Sequence, residues 1–357
     1  MYRYIGTYVC LLSILITCNL NFIFQHGKSN FATANVLFSA PQLSVVTGLK
    51  AHALFLTIHV HPSASPRTCF KSIMKIREYV KQIHFNYESK ITHEILYGVG
   101  FGFNFFRNIS PATRHREFEN FEYRERIGGL GKLPNTGGDI LVHAKSDDRG
   151  MLFELAKLII FGMPSECVAK FEDIYSFLYR GGRDLGGFVD GTENPKRLRE
   201  RVDVAVNKRT GGSYAVAQRW VHNMTLLHKT GYSTLEQWIG RTIKDSIELQ
   251  NKPDTSHVAR MVGSDKFQAK KKYRIVRQAQ PYGSLSKEAG LFFIAYAEDV
   301  KNFNFMLDRM TGHADDNKTD RIMMFTRCVT GNYYYFPDII ELNHLIRGHR
   351  HRYVINV

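Results

Sequence analysis

A chain of 357 residues with 44% hydrophobic and 13% aromatic residues can bury one large core or two smaller ones, which excludes disorder over most of its length. Its 48 Lys and Arg against 33 Asp and Glu give a formal charge of +15, a balance that favours anionic contacts. The basic residues fall in short clusters (114–126, 196–201, 270–272 and 347–352). They describe a solvated surface, and no nucleic-acid partner is expected.

The N-terminus stands apart. Residues 9–16 (VCLLSILI) with 20–24 form an apolar stretch between Arg3 and Lys28, in the manner of a signal-peptide h-region or a short anchor. Asn19 and Asn21 interrupt it, which argues against a stable membrane span. Ala32-Thr-Ala34 fits a small-x-small cleavage pattern. Residues 1–40 are therefore expected to be a leader taking the chain into a secretory or organellar route, not to leave it in the cytoplasm. Cys10 and Cys18 lie in that leader. The other three, Cys69, Cys167 and Cys328, are widely spaced and odd in number, with no C-x-x-C pair. Neither a zinc site nor a disulfide framework is expected.

Beyond the leader the elements follow in two similar series. Residues 53–60 (ALFLTIHV) read as a buried strand and 71–83 as a helix, with Ile73, Ile76, Val80 and Ile83 at helical spacing. Strands are expected at 95–103 and 140–144, a helix at 151–160 and a strand at 169–179. The polar, glycine-rich stretch 107–138 reads as a loop. The second series has strands at 213–220, 272–278, 291–297 and 333–336. Helices are expected at 234–242, 303–310 and 321–325. Each series approximates β-α-β-β-α-β, and short strands with helices on one face predict an α+β fold of two ferredoxin-like domains. The expected division is a leader at 1–40, one domain at 41–183, a second at 184–340 and a basic tail at 341–357.

The most informative segment is 187–195, GFVDGTENP. Its D-G and N-P pairs are turn punctuation. Its acid, Asp190, is either part of a polar turn or a carboxylate held over a reactive centre. In 254–260, DTSHVAR, His257 follows a polar turn, as a surface histidine or an axial metal ligand would. Arg277 sits in an apolar strand, where a guanidinium needs an anionic or polar partner.

Taken in order, GFVDGTENP, TSHVAR, IVRQ with QPYG, GLFFIAYAED and VTGNYYYFP resemble the dye-decolorising peroxidase family, in its bacterial class with compact loops. Residues 211–220 and 239–241 add to the match, which runs from about 41 to 336. The resemblance implies paired ferredoxin-like domains of the dimeric α/β-barrel type, with antiparallel sheets and one haem b in the C-terminal half. It implies His257 as axial ligand to the iron, Asp320 (in KTDRIMMF) as the acid bonded to that histidine, and Arg241 beside a haem propionate. Asp190 and Arg277 would be the distal acid and arginine that cleave hydrogen peroxide. An organic, dye- or phenol-like reductant and a homo-oligomer are expected on the same ground. The family often has Ser or Asn two positions after the distal arginine. Here that residue is Ala279, a departure that bears on peroxide activation. It leaves a second expectation, a haem-handling protein of low turnover that delivers haem, releases its iron or oxidises porphyrinogens.

Overall fold

The computed structural model describes residues 40–86, 93–110, 120–262, 272–314 and 316–347. The expected leader and the end of the basic tail lie outside the described residues, all of which belong to one compact unit, Phe38–Val357.

In the first series, β1 (His52–His59), β2 (Leu96–Gly102), β5 (Ile140–Ser146) and β6 (Lys170–Phe177) pair antiparallel in the order β2-β5-β1-β6. The second series has β7 (Ser213–His222), β8 (Val276–Arg277), β9 (Gln280–Gly283), β10 (Ala289–Ala297) and β11 (Thr326–Phe336). There β11 pairs β7, β7 pairs β10, and β10 pairs both β8 and β9. Taken by position within each half, with the interrupted pair β8 and β9 counted as one strand, both orders are 4-1-3-2, the ferredoxin-like order. Two short seams, β2–β11 and β6–β9, join the halves. Because β7 and β10 also pair, the sheet closes into an antiparallel barrel, which leaves no long free edge.

Strand alternation divides the core in two. Phe55, Leu141, Ala215, Phe292, Ile294, Tyr296 and Tyr334 fill the barrel interior. The alternate residues Leu54, Leu56, Val142 and Ala144 face outward, beneath the helices. These include α2 (Pro66–Ile73), α3 (Ile76–Asn86), α4 (Phe103–Ile109) and α5 (Arg149–Gly162), whereas α1 (Leu43–Val46) packs Val45 and Val46 into the interior cluster. On β2, Gly98 and Gly100 face inward. A Cβ at Gly100 would collide with the Phe336 ring, so glycine lets that ring into the barrel.

Several expectations are corrected. The helix expected at 71–83 is two helices: Ser65 caps the first, Pro66 occupies its first turn, and the chain breaks at Met74 and Lys75. The stretch 107–138 contains a β-hairpin, β3 (Arg126–Gly128) with β4 (Gly131–Leu133). The strand expected at 272–278 is reduced to Val276–Arg277 and resumes at Gln280. The tail expected from residue 341 begins as a helix, Ile339–Arg347, with Glu341, Leu342 and Leu345 buried. The largest correction is a disulfide. Cys69 on α2 and Cys167 before β6 are bonded, their Cα atoms 5.3 Å apart across 98 residues of sequence, and both are fully buried. Sequence spacing carried no trace of this pair because tertiary packing alone brings them together. Cys328 remains free and buried.

Candidate active site

In the first half the helices lie directly on the sheet. In the second, α6 (Leu198–Ala205), α7 (Met224–Lys229), α8 (Tyr232–Ile239), α9 (His257–Val262) and α10 (Val300–Thr311) complete the described α-helices before the final one. Between β7, β10, α9 and α10 lies a cavity of about 350 Å³. Its apolar wall comes from Val216, Leu291, Phe293, Met261, Met306 and Leu307, and four of the expected site residues reach it: Asp190, Arg241, His257 and Arg277. Asp320 lies immediately behind.

His257 opens α9, and its Nδ1 lies 2.7 Å from Oδ2 of Asp320, a fully buried carboxylate. The other oxygen, Oδ1, accepts the Ile322 N–H at 2.9 Å, so Asp320 also caps a 3-10 turn, Arg321–Met324. Nδ1–H donation to the carboxylate fixes the tautomer and leaves Nε2 to meet a ligand. Two further staples hold α9 against the 308–321 segment. The Arg260 guanidinium, 1% exposed, grips both Asp316 oxygens at 2.6 and 2.9 Å and donates to the Arg309 carbonyl. Arg309 returns a bond from its Nε to the Arg260 carbonyl at 2.7 Å. The His257–Asp320 distance is therefore set by a rigid frame and not by the two side chains alone.

Asp190 and Arg277 come from a loop and a strand end. Asp190 Oδ1 accepts the Gly191 N–H at 2.6 Å, and Arg277 Nη2 lies 3.7 Å from the same oxygen. Asn194 joins the two segments: its Oδ1 accepts the Arg277 N–H at 2.9 Å and its Nδ2 donates to the Arg277 carbonyl at 2.7 Å. That side chain takes the place of a neighbouring strand along Arg277, which is why GTENP must follow the acid at this spacing. Arg183 anchors the loop from below by donating to the carbonyls of Gly187, Ile243 and Lys244. Arg241 meets Glu193 at 2.8 Å, Glu248 at 3.3 Å and the Ser246 carbonyl at 2.9 Å. Ala279 does not line the main cavity. It borders a cleft of about 30 Å³ shared with Asp190, Gly191 and Arg277.

Two groups on the cavity wall escaped the sequence reading. Asp184, whose carboxylate accepts the Phe188 N–H at 2.9 Å, is pushed up to about 7 by burial, against the backbone N–H groups it holds. His222, at the end of β7, bonds Thr326 Oγ1 through Nδ1 at 2.7 Å, and burial holds it down at about 4, so it is neutral near pH 7. The R-D-L preceding GFVDG pointed to Asp184 weakly, and nothing in the sequence singled out His222 among 15 histidines.

The family profile described as Dyp-type peroxidase, C-terminal, matches residues 181–341. A dye-decolorizing peroxidase of Mycobacterium tuberculosis is 30% identical over 312 residues, 84% of this chain and 89% of that one. The chain belongs to the dye-decolorising peroxidase family. Solved structures agree in fold. A dye-decolorizing protein from V. cholerae superposes with a TM-score of 0.72 at 32% identity, covering 85% of this chain and 99% of that one. A DypB variant from Rhodococcus jostii, solved in complex with heme, gives 0.73 at 29% identity, with 86% and 99% covered. As a member of this family the chain is a haem peroxidase, with a peroxide and a reductant as substrates.

The residues present fit such a group. The cavity offers apolar walls for a flat macrocycle, one histidine whose second nitrogen is held by a buried carboxylate, and an arginine, Arg241, on its polar side. His222 also faces the cavity, with its Nε2 unpartnered among the described residues, but its Nδ1 is held by the neutral Thr326 hydroxyl.

Proposed function

We propose that the chain binds haem b through His257 and uses it to reduce hydrogen peroxide and oxidise an organic, phenol- or dye-like donor. The observation that carries this reading is the His257–Asp320 pair, which opens onto the same cavity as Asp190 and Arg277. Bound haem would supply an iron able to take two electrons' worth of oxidation from peroxide and return it in single-electron steps.

The protein's part is orientation and proton movement. Asp320 holds the ring of His257 so that Nε2 faces the ligand. Asp190 is placed to take a proton from one peroxide oxygen and give it to the other. Arg277, held by Asn194, brings positive charge to where the departing oxygen becomes anionic. Arg241 would meet a propionate after exchanging its present carboxylate partners, Glu193 and Glu248. Ala279 supplies no hydrogen bond to this network, a loss of about 1 kcal/mol on the usual scale for one neutral bond.

The test is spectroscopic. The protein purified with haem is expected to show a Soret band that His257→Ala loses or shifts and His222→Ala keeps. A normal Soret band and undiminished peroxidase turnover in His257→Ala would overturn the assignment.

The Cys69–Cys167 bond supports maturation in an oxidising compartment, which agrees with a leader in residues 1–40. Among the described residues no helix is long and apolar enough to cross a membrane. A homo-oligomer is proposed from the family alone; one solved relative, from Mycobacterium smegmatis, is described as encapsulated.

A further inference from the structure

A second cavity, of about 300 Å³, occupies the open end of the barrel. It stands back to back with the first. On β7, Val216 and Gln218 face the main cavity while Ala217, between them, faces the barrel; on β10, Leu291 and Phe293 face the main cavity while Phe292 faces the barrel. One layer of sheet separates the two.

The barrel cavity is graded along its depth. Phe292 and Ala217 make an apolar inner surface, with Tyr334 beside them, each at most 5% exposed. Thr57 and Glu172 face each other across β1 and β6 at the inner level. One inward-facing pair further out, His59 and Lys170 form the rim. Glu172 is matched by Arg219, whose Nε lies 3.0 Å away. Lys170 is exposed and has no carboxylate paired with it among the described residues. An apolar floor below a partly exposed hydroxyl and carboxylate, with a lone cation at the mouth, suits one kind of small molecule.

We propose that this cavity is a second donor site, for a single-ring phenol carrying a carboxylate opposite its hydroxyl. The ring lies on Phe292, the carboxylate meets Lys170, and the phenolic hydroxyl reaches Thr57 and Glu172. The donor role rests on the peroxidase reading. Each donor gives up one electron, across the sheet to the main cavity, and one proton, to Glu172, and leaves as a phenoxyl radical. Two donors return the two electrons and two protons that turn one hydrogen peroxide into two waters.

The test uses the haem-loaded protein and 4-hydroxybenzoate as probe, by calorimetry and by steady-state turnover at saturating peroxide. Lys170→Glu lies on the exposed rim and leaves the fold intact. It is expected to weaken 4-hydroxybenzoate about tenfold, the weight of one charged hydrogen bond, while the neutral 4-methylphenol changes less than about twofold. Ala217→Leu, which fills the slot, is expected to weaken both. The KM for 4-hydroxybenzoate should rise by the same factors, with the Soret band unmoved. Affinity within about twofold of wild type in both variants would overturn the site, and weakened binding with an unmoved KM would overturn its role as a donor site. Failure of the peroxidase reading shows itself differently, as no turnover of any donor, and leaves the calorimetric result legible.

Discussion

The His257 ring and the Asp320 carboxylate meet at 2.7 Å across 63 residues of sequence. Asp320 is wholly buried, and its second oxygen is committed to the Ile322 N–H. Asp320→Asn keeps an acceptor for the ring N–H but removes the charge. Partners of this kind typically matter by 10–100-fold, so peroxide activation in stopped-flow mixing is expected to slow by about 10–100-fold. Haem should be retained, with a shifted Soret band.

Asn194 is a positioning residue. Asn194→Ala removes both bonds to the Arg277 backbone, each worth about 1 kcal/mol, and frees the Asp190 loop from the strand. The expected outcome is a fall in kcat/KM for peroxide larger than any change in KM for the donor. Equal changes in both would point to general unfolding of the loop.

Asp184 gives the stability a pH dependence. Its folded value of about 7 lies above the ordinary aspartate range because burial disfavours the charged form. Between the ordinary value and about 7 the native state holds a proton that the unfolded state has lost. This group's contribution is therefore full below the ordinary value and declines as pH rises toward 7. Urea unfolding from pH 4 to 8 should show that decline, and Asp184→Asn should flatten it.

The buried disulfide closes a segment of 98 residues. Replacing Cys69 and Cys167 together with Ser, or reducing the bond, is expected to lower stability by about 2–5 kcal/mol. Neither cysteine lines the cavity, so the haem spectrum should not change at temperatures where the variant stays folded. Denaturant unfolding with and without reductant measures the difference.

Much of the fold was legible because burial imposes a period. ALFLTIHV at 53–60 and LFFIAYA at 291–297 are largely apolar on both faces, with Thr57 and His59 only toward one end, and both are barrel strands with one face inside and one beneath helices or the cavity. Where the pattern failed, a local bond had replaced it. The strand at 272–278 was cut short where Asn194 pairs with Arg277. The helix at 71–83 was broken at Met74 and Lys75 although its apolar spacing runs through the break.

By itself the sequence determined the duplicated element order and the α+β class, and it offered Asp190, His257, Arg277 and Asp320 as site residues only through motifs that resemble a family. The element order and class follow from hydrophobic period, which is local. Only the tertiary structure decided that the halves close into one barrel, that Cys69 finds Cys167, and that Asp184 and His222 face the same cavity. It also decided that alternate residues of β7 and β10 wall two cavities. Such facts depend on which distant strands pair and on what each side chain meets there, and no window of sequence contains that information.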